Sequence, residues 1–201
     1  TGTYSGVFDN ANVGSGKTVT ITSSYGGADV NNYTITDQAS TTADVTTKSL
    51  TATASAANKV YDASSAATTT LTLSGFIGTE TVTSTNSSTF NNKNVGTGKT
   101  VTVNSITLAN GTNGGLAANY SISPGQTSTA NVTAKALTVS GITAANKTYD
   151  ANTTATLDVL SISYNGLIAG DVFDGTYTGA FSDKNVGTGK TVTITPSYTG
   201  A

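Results

Sequence analysis

The run Gly-x-Gly-Lys-Thr occurs three times, at Gly14 to Thr18, Gly96 to Thr100 and Gly187 to Thr191. Glycines followed by a lysine and a hydroxyl are parts of a phosphate cradle, in which backbone N–H groups and an ammonium surround the anion. That cradle also needs a glycine five positions before the Gly-Lys pair, where this chain has Ala11, Lys93 and Lys184, and a helix after it. The chain continues instead as Thr-Val-Thr, a two-residue alternation that belongs to a strand. The motif is therefore expected to form a turn or bulge, with Gly14, Gly16, Gly96, Gly98, Gly187 and Gly189 permitting it. Phe8, Phe90 and Phe181 are expected to anchor the core beside it, and Val13, Val95 and Val186 to pack beneath it.

Carboxylates are the next candidates. Tyr61-Asp62 and Tyr149-Asp150 repeat, and Asp171 and Asp174 lie in one predicted loop. Two neighbouring carboxylates can serve acid–base chemistry or hold Ca²⁺. The chain has no His or Cys to share such work. Hydrogen-bonded turn carboxylates are expected, with no catalysis and no cofactor, Ca²⁺ being the one ion the acidic pairs would suit. Lys59 and Lys147, each beside Asn and Asp, are placed to form lysine–asparagine crosslinks, but capping or solvated lysines fit the same pattern. Sequons at Asn32, Asn86, Asn110, Asn119, Asn131, Asn146 and Asn152 arise readily in so Asn- and Thr-rich a chain. The Thr-x-Thr runs lie on separate strands, so they read as outward-facing threonines, not as a stacked ice-binding ladder.

A reactive site is normally built once, whereas these motifs recur, which is the mark of repeat architecture. The longer motif Phe-x3-Asn-Val-Gly-x-Gly-Lys-Thr-Val-Thr starts at Phe8, Phe90 and Phe181, separated by 82 and 91 residues. Asn58-Lys59-Val60-Tyr61-Asp62 returns 88 residues later at Asn146, and Asn32-Tyr33-Thr34-Ile35 returns 87 later at Asn119. Residues 2–8 match residues 175–181 at an offset of 173. The pattern predicts modules of about 87 residues in two alternating versions: the C-terminal part of one at 1–47, a complete one at 48–134, and the N-terminal part of another at 135–201. The chain is accordingly expected to be a window of a longer protein. Residues 135–173 and 1–47 are complementary pieces of one module: if chains end here they would join separate copies by strand complementation, and in a continuous protein the same arrangement recurs within one chain.

Composition points to strands. Thr supplies 43 of the 201 residues, and Thr and Val suit a pleated, half-buried surface while Gly and Asn suit turns. With 36% hydrophobic and 10% charged residues, the chain departs from the charge-rich composition of disordered segments. Strands are predicted after each glycine motif and at Leu50 to Thr53, Leu71 to Leu73 and Leu157 to Val159. Ala52 to Ala57 and Ser64 to Ala67 admit a short helical turn. The Asn-Tyr-[Thr/Ser]-Ile and Thr-Ala-[Asp/Asn]-Val-Thr segments should close each sheet, with Tyr33 and Tyr120 buried on their apolar sides. The fold class is all-β: tandem small β-sandwich-like modules, or β-grasp-like ones, arranged end to end as a rod. A net charge of −2 without arginine argues against nucleic acid as partner. No apolar run is long enough to span a membrane as a helix.

The ordered set of Asn-Lys-x-Tyr-Asp, Gly170-Asp171, Phe-x3-Asn-Val-Gly-x-Gly-Lys, Ala-x-Asn-Tyr and a Lys-x-Leu-Thr junction resembles the YDG-type repeats of large bacterial surface adhesins and filamentous-haemagglutinin-like exoproteins. Ala63 and Ala151 stand where those repeats usually have Gly after Tyr-Asp, and the Gly-Asp pair becomes Gly78-Thr79-Glu80 in the middle copy. The resemblance implies an extracellular or cell-surface protein whose repeats form a stalk or fibre. Its expected partners are neighbouring repeats of the same protein, self-assembled fibres, and a host or matrix surface reached through other domains. The alternative expectation is a carbohydrate- or surface-ligand-binding β module using Tyr4, Tyr25, Tyr177 and Tyr198.

Overall fold

Alternating Thr with Val or Ile places the apolar side chains on one face of a strand, and the longest strands carry that alternation. A computed structural model describes residues 1–199; residues 200 and 201, the end of the third predicted segment, lie outside the described residues. The described chain is all-β, with one-turn 3₁₀ helices at Val30–Asn32 and Ala117–Asn119 and no α-helix. Neither of the two suggested helical turns forms: Thr51–Ala56 and Ala66–Ala67 are strands. Their alanines pair with partner strands, and the backbone hydrogen bonds so gained outweigh alanine's helix preference.

The chain divides into two compact units. The first comprises residues 1–57, 65–92 and 98–131. In it, Gly2–Phe8, Gly14–Tyr25 and Ser40–Val45 make a three-stranded antiparallel sheet in sequence order. A second sheet is built on the long hairpin of Val82–Phe90 and Gly96–Asn110, which a bulge at Asn104 bends. Ala66–Ala67 adds to one edge of that hairpin and Thr127–Thr133 to the other. Thr51–Ala56 pairs with Thr69–Ser74, while Lys48–Ser49 runs parallel to Tyr120–Ser121. Phe90, Val101, Val103 and Ala130 are buried on one face of the hairpin sheet, and Leu50, Val82 and Tyr120 form a cluster flanked by Leu73 and Phe76.

The second unit comprises residues 58–64, 93–97 and those from Val132 onward. Lys59–Val60 pairs in parallel with Val132 and Thr133. Two short antiparallel ladders, Thr138–Ser140 with Ser163–Asn165 and Thr143–Ala144 with Leu157–Asp158, precede a hairpin of Asp174–Phe181 and Val192–Thr199. Thr154–Ala155 extends that hairpin on one side. Leu157 lies so close to Gly179 that a Cβ there would come within 2.7 Å of its methyl. That close approach packs the ladder's leucine against the hairpin at Gly179.

Candidate functional site

The repeated lysines all turn back onto their own loops. Lys17 of the first glycine motif donates to Asn10 Oδ1 at 2.5 Å and pairs with Asp9 at 3.1 Å. Lys99 donates to Asn92 Oδ1 at 2.6 Å, and Lys190 pairs with Asp183 and donates to Asn185 O at 2.7 Å. A side chain with three donors is thus used as a brace across seven or eight residues of turn. The lysine that a phosphate cradle would direct at an anion is committed to the loop instead.

The backbone beside that brace is a bulge. Gly16, Gly98 and Gly189 have φ of +59°, +58° and +62°, the left-handed region that glycine enters without penalty. The register of the first sheet shifts between Gly14 and Lys17. Gly16 N donates to Asp44 Oδ1 at 2.8 Å, and Gly98 N does the same to Asn131 Oδ1 at 2.8 Å. Gly14, Gly96 and Gly187 do not have positive φ, so left-handed freedom is required only of the second glycine.

A second lysine brace holds the Asn-Lys-x-Tyr-Asp motif. Lys59 Nζ sits 2.7 Å from Asp62 Oδ1 and donates to Ser64 O at 2.8 Å; Lys147 Nζ sits 2.7 Å from Asp150 Oδ1 and donates to Asn152 O at 2.8 Å. The Lys59 hydrogen bond, seconded by the Ser64 amide, holds the Asp62 carboxyl down at about 2. Asp9, Asp150 and Asp183 are held below the usual carboxylate range by Lys17, Lys147 and Lys190 in the same way. Between the carboxylate and the turn, Ala63 and Ala151 adopt φ of +62° and +64°. A bond between Lys59 and Asp62 would close only this turn, so the contact braces without cross-linking distant strands.

Tyr61 faces a different partner. Its hydroxyl donates to Asp171 Oδ1 at 3.0 Å, and Lys93 approaches the same oxygen at 3.8 Å. Tyr61 and Asp171 line an open cleft of about 380 Å³ in the second unit with Val95, Leu137, Ile168 and Phe173. Asp174 accepts from Gly175 N, so the two loop acids serve different bonds. Among the described residues, no three acidic side chains gather as metal ligands.

Several placements correct the expectations. Val95 and Val186, expected under the turn, are 55% and 88% exposed, because they precede the strand and its inward face begins beyond them. Val13 is half-buried, with its N–H bonded to Asn119 Oδ1 at 2.9 Å. Phe90 is a core residue at 3% exposure, but Phe8 is 38% exposed and Phe181 is half-buried under Lys147, whose Nζ lies 5.6 Å from its ring centre. Tyr120 is 5% exposed, its hydroxyl donating to Glu80 Oε2 at 2.6 Å and accepting from Ile77 N at 3.2 Å. That bond to a carboxylate raises the Tyr120 phenol above its ordinary pKa. Tyr33, its counterpart, is 73% exposed, since among the described residues no loop covers it as Phe76 to Glu80 covers Tyr120, and Tyr33 to Ile35 form no strand. Tyr149 is exposed and Tyr61 half-buried.

An aromatic cluster was missed by motif reading, since its members lie on separate strands and a loop. Tyr164 and Phe173 meet edge to face at 5.1 Å, Phe173 lies 5.2 Å from Tyr198, and Tyr177 donates to the Tyr164 hydroxyl at 3.4 Å. Burial, then the Tyr164 hydroxyl, raises the Tyr177 phenol.

Braced turns recurring on an all-β framework define a β-repeat protein in which the polar motifs serve the backbone. The chain belongs to the YDG domain family, whose model matches it at residues 1–43, 46–130 and 133–201. Among curated proteins and solved structures, none matches the chain.

Proposed function

We propose that this chain is a structural repeat region of a secreted bacterial adhesin or extracellular filament. In this reading, modules of about 87 residues run head to tail as a rod and act as a stalk or fibre. The observation that carries it is the use of the charged groups: the motif lysines Lys17, Lys59, Lys147 and Lys190 are each paired to an acid in their own turn. Stacked repeats gain stability from each neighbour contact, so motifs that brace turns suit a load-bearing array. The junction stretches 46–47 and 134–137 contain neither Pro nor Gly, which favours a stiff connection over a flexible linker.

Electron microscopy of native material tests the proposal. The expected result is regular fibres or stalks with an axial repeat on the order of 70–90 Å for two modules. Surface proteolysis of intact cells should remove the protein. Compact particles retained inside the cell would overturn the reading. The second reading, a glycan-binding module, draws on the hollow of about 280 Å³ beside Tyr177, Pro196 and Tyr198. Saturable binding on a glycan array, lost on Tyr198→Ala, would favour it.

A further inference from the structure

We propose that the middle repeat holds a binding site for a neutral saccharide, in a slot between residues 50–56 and 121–128. The site does not depend on the stalk reading, since one repeat can carry both a ligand and a load. Lys48–Ser49 and Tyr120–Ser121 run parallel, and Leu50 N donates to Ser121 O at 2.8 Å. Beyond that bond the two stretches part. Thr51–Ala56 takes Thr69–Ser74 as its partner, while the turn Ser123-Pro124-Gly125, with φ of +111° at the glycine, leads the other stretch to Val103. There Gly125 N donates to Val103 O and Val103 N donates to Gln126 O, both at 2.9 Å. The stretches meet again where Ala56 N donates to Ser128 Oγ at 3.3 Å. The slot is tied at both ends and open between them.

Strand register decides what the slot presents. Ala57 N donates to Thr68 O, so the antiparallel ladder turns the backbone groups of Thr51, Thr53 and Ser55 towards their partner strand and those of the alternate residues away from it. Leu50 and Ala56 use their N–H groups in the two ties. Among the described residues, the N–H and C=O groups of Ala52 and Ala54 join no ladder on that edge. Ser49, Leu50, Ala52, Ser121, Ile122 and Gln126 line a hollow of about 340 Å³ at this place. The Ser49 and Ser121 hydroxyls lie 3.5 Å apart, too far to satisfy one another. Gln126 Nε2 donates to Ser123 O at 2.8 Å, which fixes the sense of the amide, and the buried Oε1 accepts from no described residue. A buried acceptor without a donor is a standing cost to the fold. The broad terminal torsion of glutamine lets Oε1 turn to a donor in the hollow.

These groups select the ligand by class. No charged side chain is among the described residues lining the hollow, so a phosphate or carboxylate finds no counter-ion there. Ala52 N is a donor, Ala52 O and Gln126 Oε1 are acceptors, and the serine hydroxyls are both. Sugar hydroxyls likewise donate and accept, and Leu50 and Ile122 supply an apolar wall for the C–H face of the ring. The ties at Leu50 and Ala56 stop an extended peptide from running through the slot as an added strand. A compact polyol fits, and 340 Å³ lies at the small end of ligand sites, about 300–1,000 Å³. The site is also written once. Gln126 stands where the first copy has Ala39, and Ser49 where the third has Ala136, so these polar groups are no part of the repeated scaffold.

Titration of the full isotope-labelled chain with D-glucose, D-galactose, D-mannose and N-acetyl-D-glucosamine, followed by amide NMR, tests the site. At least one of these sugars should shift the Ala52, Ala54 and Gln126 side-chain resonances together on a single saturating curve. Gln126→Ala should weaken that binding about three- to tenfold, the contribution of one hydrogen bond. Ser49→Ala should weaken it too, and it keeps the test open if the first variant fails to fold; each variant carries the residue that another repeat has at that position. No saturable shift with any of the four sugars, or an affinity unchanged in both variants, would overturn the proposal. Shifts confined to Tyr177 and Tyr198 would overturn it as well, because they belong to the hollow of the second unit. The stalk reading is judged separately, by microscopy of native material.

Discussion

Two alanines hold a conformation that L-residues resist. A left-handed backbone costs a non-glycine residue roughly 1–2 kcal/mol, and Ala63 and Ala151 both adopt it between a lysine-bound carboxylate and the following turn. Glycine removes that strain but gives the unfolded chain more freedom, an offset of roughly 0.5–1 kcal/mol. Ala63→Gly is expected to stabilise the fold by about 0.5–1 kcal/mol in urea unfolding, and a loss of stability would refute the strain argument. Asp62 carries an acid-sensitive contribution. Its folded pKa of about 2 lies below the ordinary value of 3.8, so the folded state releases the proton more readily than the unfolded one. The stability it adds is complete above pH 4 and disappears as the pH falls towards 2. Melting temperature should drop over that window, and Asp62→Asn should flatten the drop while lowering stability at neutral pH.

At the scale of elements, the bulge after each loop separates glycines that look alike in sequence. Gly98 has φ of +58° with open space around its Cα, so a side chain there meets backbone strain and no clash. Gly98→Val should cost about 2 kcal/mol, since a β-branched residue is the worst occupant of that region. Gly187→Ala, at a position with ordinary φ, should change stability by less than about 0.5 kcal/mol. The phenylalanines divide in the same manner. Phe90→Ala removes a buried ring and should cost about 3–4 kcal/mol, whereas Phe8→Ala removes a partly solvated one and should cost about 1 kcal/mol or less in the separate chain. Equal losses at both positions would refute this division between core and partly solvated rings.

At the scale of the molecule, contacts between distant stretches of sequence do what single turns cannot. Tyr61 and Asp171 are separated by 110 residues yet share a hydrogen bond, with Lys93 beside the same oxygen. A double-mutant cycle of Tyr61→Phe and Asp171→Asn should give a coupling of about 1 kcal/mol, and additive effects would show that the bond contributes nothing to the second unit. Asn119 plays the corresponding part in the first unit, accepting from Val13 N and donating to Asn12 Oδ1 at 3.0 Å. Both contacts use residues of the Asn-Val-Gly loop or its neighbour Lys93, so this loop carries long-range contacts as well as a turn.

The all-β class, the strands after each glycine motif and the YDG family were legible in the sequence, because two-residue periodicity, turn residues and ordered repeats are local or recurring properties. The same locality explains the limits. Phe8 and Phe90 sit in the same motif, as do Tyr33 and Tyr120, and nothing in either motif distinguishes them. Burial depends on which other segment covers the residue, and that is a property of packing. The lysines were open to a cradle, a crosslink or a cap until folding brought Asp62, Asn92 and Asp183 within reach. Sequence determined the repeated pattern of strands and turns. Tertiary structure alone decided which copy of each motif is core, which is surface and which joins distant segments, since those outcomes depend on neighbours that spacing along the chain does not specify.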